Sequence, residues 1–313
     1  MFLPDAREEP TMTTDWHGVM PALMTEMTED GALDLPATAR HINSCLEAGC
    51  TGLVMLGTLG ENCSLTADEK EAVIRSAVET VGGRAPVIAG IAEYTTDFAI
   101  VAAKRAQDAG ATGLMALPCM VYEQDAREAL AHFRALAKAT DLPIMVYNNP
   151  VSYKVDLSPE DFAALGDEAN IVAVKESSHD SRRITDMINR LGDRYTLFCG
   201  VDDLLLENVL FGAAGWVSGM ANCFPREAVA LYRLAAAKRV DEALALYRWF
   251  MPLLHLDVDV KLVQYIKLAN KLTGEGEEWV RPPRLPLIGE ERAGVEAIVR
   301  RAIEHRPVLT AAA

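Results

Sequence analysis

The chain lacks most of the features that would assign it quickly. Its 313 residues contain no apolar run near the roughly 18 residues needed to cross a bilayer, which excludes a transmembrane helix. The first fourteen residues, MFLPDAREEPTMTT, carry acidic side chains and no continuous apolar core. They read as a loose tail rather than a secretory signal. A net charge of −15 with no basic stripe would repel phosphate backbones, which argues against nucleic acid as a partner. Cys45, Cys50, Cys63, Cys119, Cys199 and Cys223 are dispersed, form no CxxC pair and sit mostly in apolar runs. They read as reduced core residues of a cytoplasmic protein, neither disulfides nor a zinc site. The six histidines make no HExxH or comparable pattern, so no metal site is expected.

What is present is alternation. Half the residues are hydrophobic and 24% charged, as in a globular protein with a substantial core. Short apolar runs at residues 19–24, 52–56, 86–91, 113–117, 143–147, 171–175, 196–199 and 216–218 predict eight strands. Between them, segments such as 67–81, 96–109 and 126–139 repeat apolar residues at helical spacing. Thr66 with Glu69 resembles a capping box, and Ser158-Pro159-Glu160 combines a cap with proline in the first turn. AGCTGL at 48–53 recurs as AGATGL at 109–114, each where a helix should stop and a strand begin, with glycine supplying the left-handed stop. Repeated βα units build either an open doubly wound sheet or a closed barrel. Eight units without a GxGxxG opening the first helix favour a (β/α)8 TIM barrel over residues 15–240. Segments 241–254, 258–272 and 290–302 then predict a C-terminal three-helix extension over residues 241–313, which packs on the barrel.

Chemistry in such a barrel sits where the strands end at their C-termini. Those ends read GTLGEN, YNNP, a lysine, CGVDD and GWVSG. Lys175 follows the run Ile171, Val172, Ala173, Val174, where an ammonium would lose hydration worth several kcal/mol. Confinement there disfavours its charged form, and a neutral amine attacks a ketone or imine to give an iminium. The competing reading is a structural ion pair with Glu176 or Glu61. Tyr147, on the preceding strand, is placed to carry protons. The loop around Thr58 and Leu59 can turn backbone N–H groups toward a carboxylate.

Taken in order, GTLGE, YNNP, AVKES and GWVSG resemble the dihydrodipicolinate synthase and N-acetylneuraminate lyase family of class I aldolases, and the 28 residues from Tyr147 to Lys175 match as well. The resemblance runs from GVMPALMT at 18–25 into the helical tail. It implies a barrel with a C-terminal helical domain, assembled as a homotetramer built from dimers. It also implies that Lys175 is the Schiff-base lysine, Tyr147 the proton shuttle, and Thr58 with the Leu59 backbone the carboxylate clamp, with no cofactor beyond the covalent imine on Lys175. Three departures bear on substrate: Leu59 stands where the synthase pattern has a second threonine, Met120 where it has a tyrosine, and Ser152 where it has an arginine. Losing that arginine removes a bidentate clamp for a second carboxylate, which argues against dihydrodipicolinate synthesis. Tyr122, close to Met120, could restore a phenol only if the loop shifts.

YNNPVSYKVD, CGVDDLLLENVLFGAAGWVSG and FMPLLHLDVDVKLVQYIKLA are most similar to the branch of 1-pyrroline-4-hydroxy-2-carboxylate deaminases of hydroxyproline breakdown. On that likeness the substrate is a small cyclic imino acid or keto acid, with Asn149 or Ser218 holding its hydroxyl, although such strand-end residues also serve as local backbone hydrogen-bonders. Two alternatives stand beside it. One is an aldolase or dehydratase for 2-keto-3-deoxy sugar acids, or another pyruvate lyase. The other is a barrel that binds keto acids without catalysis.

Overall fold

The computed structural model describes residues 14–309, so the expected tail at 1–14 lies, apart from Thr14, outside the described residues. Eight parallel strands alternate with helices: β1 (Gly18–Pro21), β2 (Leu53–Met55), β3 (Val87–Ile91), β4 (Gly113–Ala116), β5 (Ile144–Asn148), β6 (Ile171–Glu176), β7 (Thr196–Cys199) and β8 (Gly215–Ser218). From β2 to β8 each strand pairs with the next in the chain, and β1 pairs with β8. The remaining seam between β1 and β2 closes through Thr51 N to Val19 O at 2.9 Å and Leu23 N to Val54 O at 2.8 Å. The fold is the expected TIM barrel.

Among the described residues the helices are α1 (Leu35–Glu47), α2 (Ala67–Val81), α3 (Thr96–Asp108), α4 (Ala126–Ala137), α5 (Pro150–Tyr153), α6 (Pro159–Ala164), α7 (Arg182–Leu191), α8 (Leu205–Leu210), α9 (Pro225–Ala236), α10 (Val240–Leu254), α11 (Leu262–Thr273) and α12 (Gly289–Glu304). The last three are the expected extension. None of the described helices is long and apolar enough to cross a membrane. Both expected caps form: Thr66 and Glu69 exchange hydrogen bonds at the start of α2, and Ser158 and Asp161 do so at α6. Gly49 and Gly110, from the repeated phrase, hold φ of +100° and +94°, the left-handed stop that only glycine takes without strain.

Boundaries moved where hydrogen bonds left the ladder. β1 stops at Pro21 instead of running to residue 24, because Met24 N is claimed by Asn222 Oδ1 at 3.1 Å. The expected helix 258–272 starts only at Leu262, since a short turn, His255–Val258, ends in extended backbone at Asp259.

Two apolar layers result. One lies between sheet and helices; the other fills the barrel, with Met20, Val54, Ile88, Met115, Met145 and Phe198 inside. One irregularity decides where the chemistry goes. Ile144 pairs with Ile171 but Met145 pairs with Ala173, so β6 accommodates an extra residue at Val172. Strict alternation from Ile171, which faces the helices, would turn Lys175 outward as well. The bulge reverses the parity, so Ile171 and Val174 face the helices whereas Val172, Ala173 and Lys175 face inward.

The C-terminal helices are tied to the top of the barrel by polar contacts. Lys267 Nζ on α11 donates to Thr25 O at 2.9 Å and Glu61 Oε1 at 2.7 Å, the first in the loop after β1 and the second in the loop after β2. Arg281 donates to both oxygens of Glu69, at 2.9 and 2.6 Å. Through these contacts the extension overhangs the same end of the barrel as the strand C-termini.

Candidate active site

A cavity of about 400 Å³ opens at that end, lined by residues from most of the barrel strands and from the segment between α10 and α11. Lys175 and Tyr147 are register partners across β6 and β5, and Lys175 Nζ lies 3.9 Å from the centroid of the Tyr147 ring. Lys175 is only 6% exposed. Burial pushes its ammonium pKa below the ordinary lysine value, opposed by the nearby acids Asp257 and Asp202. Neither carboxylate weighed as an ion-pair partner is used: Glu61 is engaged by Lys267, and Glu176 by Asn148 Nδ2 at 3.0 Å and Ser178 N at 2.7 Å. Among the described residues the buried amine has no counter-ion in contact, the state a nucleophile requires.

Burial raises the Tyr147 phenol to about 12, so it holds its proton at neutral pH. Asn149 Nδ2 donates to Tyr147 Oη at 2.9 Å, while its Oδ1 accepts from Ser152 N and caps α5. The Asn-Asn-Pro exit from β5 therefore has a double use. It starts a helix and fixes the phenol.

Thr58 lies on the cavity wall, and its hydroxyl makes a short hydrogen bond to Tyr153 Oη. Among the described residues, the backbone N–H groups of Thr58 and Leu59 donate to no protein acceptor, which leaves them available to an anion. Tyr153 stands edge-on to Tyr147, ring centroids 5.6 Å apart. It joins the proposed clamp and the proposed shuttle in one aromatic cluster.

Of the residues expected at the site, Lys175, Tyr147, Thr58, Leu59 and Asn149 all line this cavity. Ser218 does not. Its Oγ donates to Asp202 Oδ2 at 3.1 Å and accepts from Ala221 N at 3.0 Å, so the hydroxyl is spent within the loop after β8. Tyr122 is exposed, donates to Glu128, and within this chain stays off the cavity wall.

Tyr153 and Asp257 are among the cavity residues not anticipated from sequence. Tyr153 follows the Ser152 that replaces the arginine, and a tyrosine one step from that lost residue was the available signal. Asp257 comes from the turn between α10 and α11, inside the stretch FMPLLHLDVDVKLVQYIKLA, whose likeness to the deaminase branch gave it no role. Behind them Asp202 is fully buried and accepts from Trp216 Nε1, Ser218 Oγ, Gly219 N and Met220 N at 2.7–3.3 Å.

A profile of the dihydrodipicolinate synthetase family matches residues 15–302. The chain is 33% identical over 282 residues to 4-hydroxy-tetrahydrodipicolinate synthase 1 of Halalkalibacterium halodurans, spanning 90% of this chain and 95% of that one. It is 36% identical over 273 residues to the 4-hydroxy-tetrahydrodipicolinate synthase of an Exiguobacterium species, spanning 87% and 92%. Among solved structures, it is similar to dihydrodipicolinate synthase from Aquifex aeolicus, with TM-score 0.87, 29% identity, and 91% and 98% coverage. A prophage protein of the dihydrodipicolinic acid synthase family from E. coli K12, in complex with pyruvate, gives TM-score 0.87, 29% identity, and 93% and 99% coverage. With the barrel, the buried lysine and these likenesses in agreement, the chain belongs to the dihydrodipicolinate synthetase family of class I Schiff-base lyases.

Proposed function

We propose that the enzyme converts 1-pyrroline-4-hydroxy-2-carboxylate into 2,5-dioxopentanoate and ammonia. The observation that carries this reading is the polarity of the cavity wall. Among the described residues that wall offers one unfilled carboxylate-binding loop, at Thr58 and Leu59, and no arginine, and it carries Asp257 and Asp259 as well as Lys154 and His179. Carboxyl groups there offer a second substrate carboxylate no cationic clamp and suit a hydroxyl leaving group. That sets the chain apart in substrate from relatives named as synthases.

The chemistry follows from the side chains present. The neutral Lys175 amine attacks C2 of the ring imine, and the ring nitrogen, protonated by Tyr147, departs as an amine on C5. The resulting iminium acidifies C3, and Tyr147, now able to accept, removes a C3 proton to give an enamine. The enamine pair expels the C4 hydroxyl as water. Loss of a C5 proton then makes C5 an imine after tautomerisation, and hydrolysis there releases ammonia. Hydrolysis at C2 frees Lys175. One water leaves and two enter, so the sum consumes one water, and no separate cofactor takes part.

A homotetramer built from dimers is the assembly proposed with it; Tyr94, Phe98 and Val101 form an apolar patch, each more than half exposed, that a second copy would cover. The deciding experiment offers the purified enzyme three substrates: the hydroxylated cyclic imine, pyruvate with an aldehyde, and a 2-keto-3-deoxy sugar acid. Ammonia and dioxopentanoate from the first support the proposal. Pyruvate from the third, or condensation of the second, with no ammonia from the first, overturns it. Borohydride with pyruvate should add mass at Lys175, and no adduct would indicate a barrel that only binds.

A further inference from the structure

The proposed reaction expels hydroxide, a poor leaving group, so an acid must meet the C4 oxygen as the C4–O bond breaks. Tyr147 is committed to the proton transfers at the ring nitrogen and C3, next to Lys175. The cavity holds one other carboxyl with the freedom to serve. Asp257 sits on the turn His255–Val258 that overhangs the barrel mouth, and it lines the cavity together with Lys175 and Tyr147. Its carboxyl lies against the end of β8, where a Cβ built on Gly219 would stand 2.0 Å from Asp257 Oδ1. It is half-buried. Among the described residues it has no hydrogen-bond or ion-pair partner.

The surrounding charged groups are otherwise occupied. Asp202, raised to about 6 by burial, is caged by four donors that oppose this rise and leave no lone pair for substrate. Asp203 Oδ2 is held by His255 Nδ1 at 2.9 Å. Asp259 Oδ1 accepts from Lys261 N at 2.8 Å. Lys175 is the nucleophile. Two neighbouring carboxyls in unlike settings is the arrangement that separates an ionised group from a protonated one. Burial and the Asp202 charge push the Asp257 pKa well above the ordinary carboxyl value, against the pull of Lys175, the direction a proton donor needs.

We propose that Asp257, from the C-terminal extension, is the general acid that protonates the departing C4 hydroxyl. The carboxyl O–H bond breaks as its proton moves to the C4 oxygen, the C4–O bond breaks and water leaves. The enamine pair becomes the C3–C4 double bond, and the iminium at C2 is restored. The aspartate left behind recovers a proton from the water that enters for hydrolysis. No oxidant or reductant is required.

This role rests on the deaminase reading, and the test separates the two. Asp257→Asn keeps the shape and removes the acid. With the hydroxylated imine, ammonia release should fall about 10²-fold to 10⁴-fold. Borohydride trapping of pyruvate on Lys175 and exchange of C3 hydrogen with deuterated water should persist, since both precede elimination. The decisive substrate is the 4-fluoro analogue, whose leaving group needs far less help from an acid. The variant should release fluoride within a few-fold of the unmodified enzyme. Equal losses on hydroxyl and fluoride, or no loss on hydroxyl, overturn the role of Asp257. Should Asp257→Asn not fold, Asp257→Glu is measured instead, and hydroxyl and fluoride losses of the same size again overturn the role. Failure of the unmodified enzyme to act on either analogue overturns the deaminase reading itself, and the role with it.

Discussion

Lys175 and Tyr147 face each other across β6 and β5 because β6 accommodates one extra residue at Val172, which turns the lysine from the helix side of the sheet into the barrel. Such a bulge costs ladder regularity and is retained where it re-aims a side chain. Lys175→Met should abolish turnover by at least about 10³-fold, together with the borohydride adduct. Because the buried amine has no ion pair among the described residues, its replacement by an apolar side chain of similar length should leave the melting temperature unchanged or higher. A thermal melt beside the assay checks both. A large drop in stability with activity retained would make the lysine structural.

Gly200 gives a second handle on the same amine. A Cβ there would lie 2.1 Å from Ser177 Oγ and 2.7 and 2.8 Å from Cγ and Cε of Lys175. Gly200→Ala should therefore destabilise the fold by about 1–3 kcal/mol through overpacking and displace the nucleophile. The expected signature is a fall of more than about tenfold in the trapping rate, measured by mass spectrometry, with circular dichroism retained.

How far the site was legible follows from where its signals lie. Lys175 stood out because four apolar residues lead into a charge, and Tyr147 because it closes the neighbouring strand. The Val172 bulge left no such trace, since Ile171-Val172-Ala173-Val174 is equally apolar in either register. Asp257 was invisible for a different reason. It reaches the cavity only because α10 and α11 pack over the barrel, and that is tertiary information. Ser218 shows the reverse error: a strand-end hydroxyl looked available, but Asp202, three-dimensionally adjacent and distant in sequence, takes it. Helices α5, α6 and α8 span four to six residues, too few for a 3.6-residue period to declare itself.

The extension also leaves a pH signature. Arg281 holds both oxygens of Glu69, which additionally accepts from Thr66 N, and the Glu69 carboxyl is lowered from 4.5 to about 2. A carboxylate depressed in the folded state binds fewer protons there than in the unfolded chain. Its stabilisation is therefore complete above about pH 4.5 and is lost as pH falls toward 2. Glu69→Gln should cost about 2 kcal/mol at pH 7. By pH 2 the two proteins should converge, as read from urea midpoints across that range. A constant gap at all pH values would show that the hydrogen bonds count and the charge does not.

The strongest constraint on the carboxylate loop comes from outside the barrel. Lys267 and Glu61 are both fully buried, their charged atoms 2.7 Å apart, and Lys267 also donates to Thr25 O and Trp279 O. Glu61 follows Thr58, Leu59 and Gly60 and holds a left-handed φ of +54°, so the ion pair fixes the end of the loop that presents the N–H groups proposed to bind the substrate carboxylate. Removing one partner strands the other charge in the interior, and Lys267→Met should cost about 3–5 kcal/mol. Joining Lys267→Met with Glu61→Gln removes both charges and should recover much of that loss, giving a coupling energy of more than about 1 kcal/mol in a double-mutant cycle. The kinetic outcome should differ from the thermodynamic one. In the double variant the loop is stable but no longer anchored, so KM for the substrate should rise about tenfold or more while trapping on Lys175 at saturating pyruvate stays near its original rate. If stability and KM recover together, the pair only supports the fold; if KM stays high, the C-terminal extension sets the carboxylate subsite from behind.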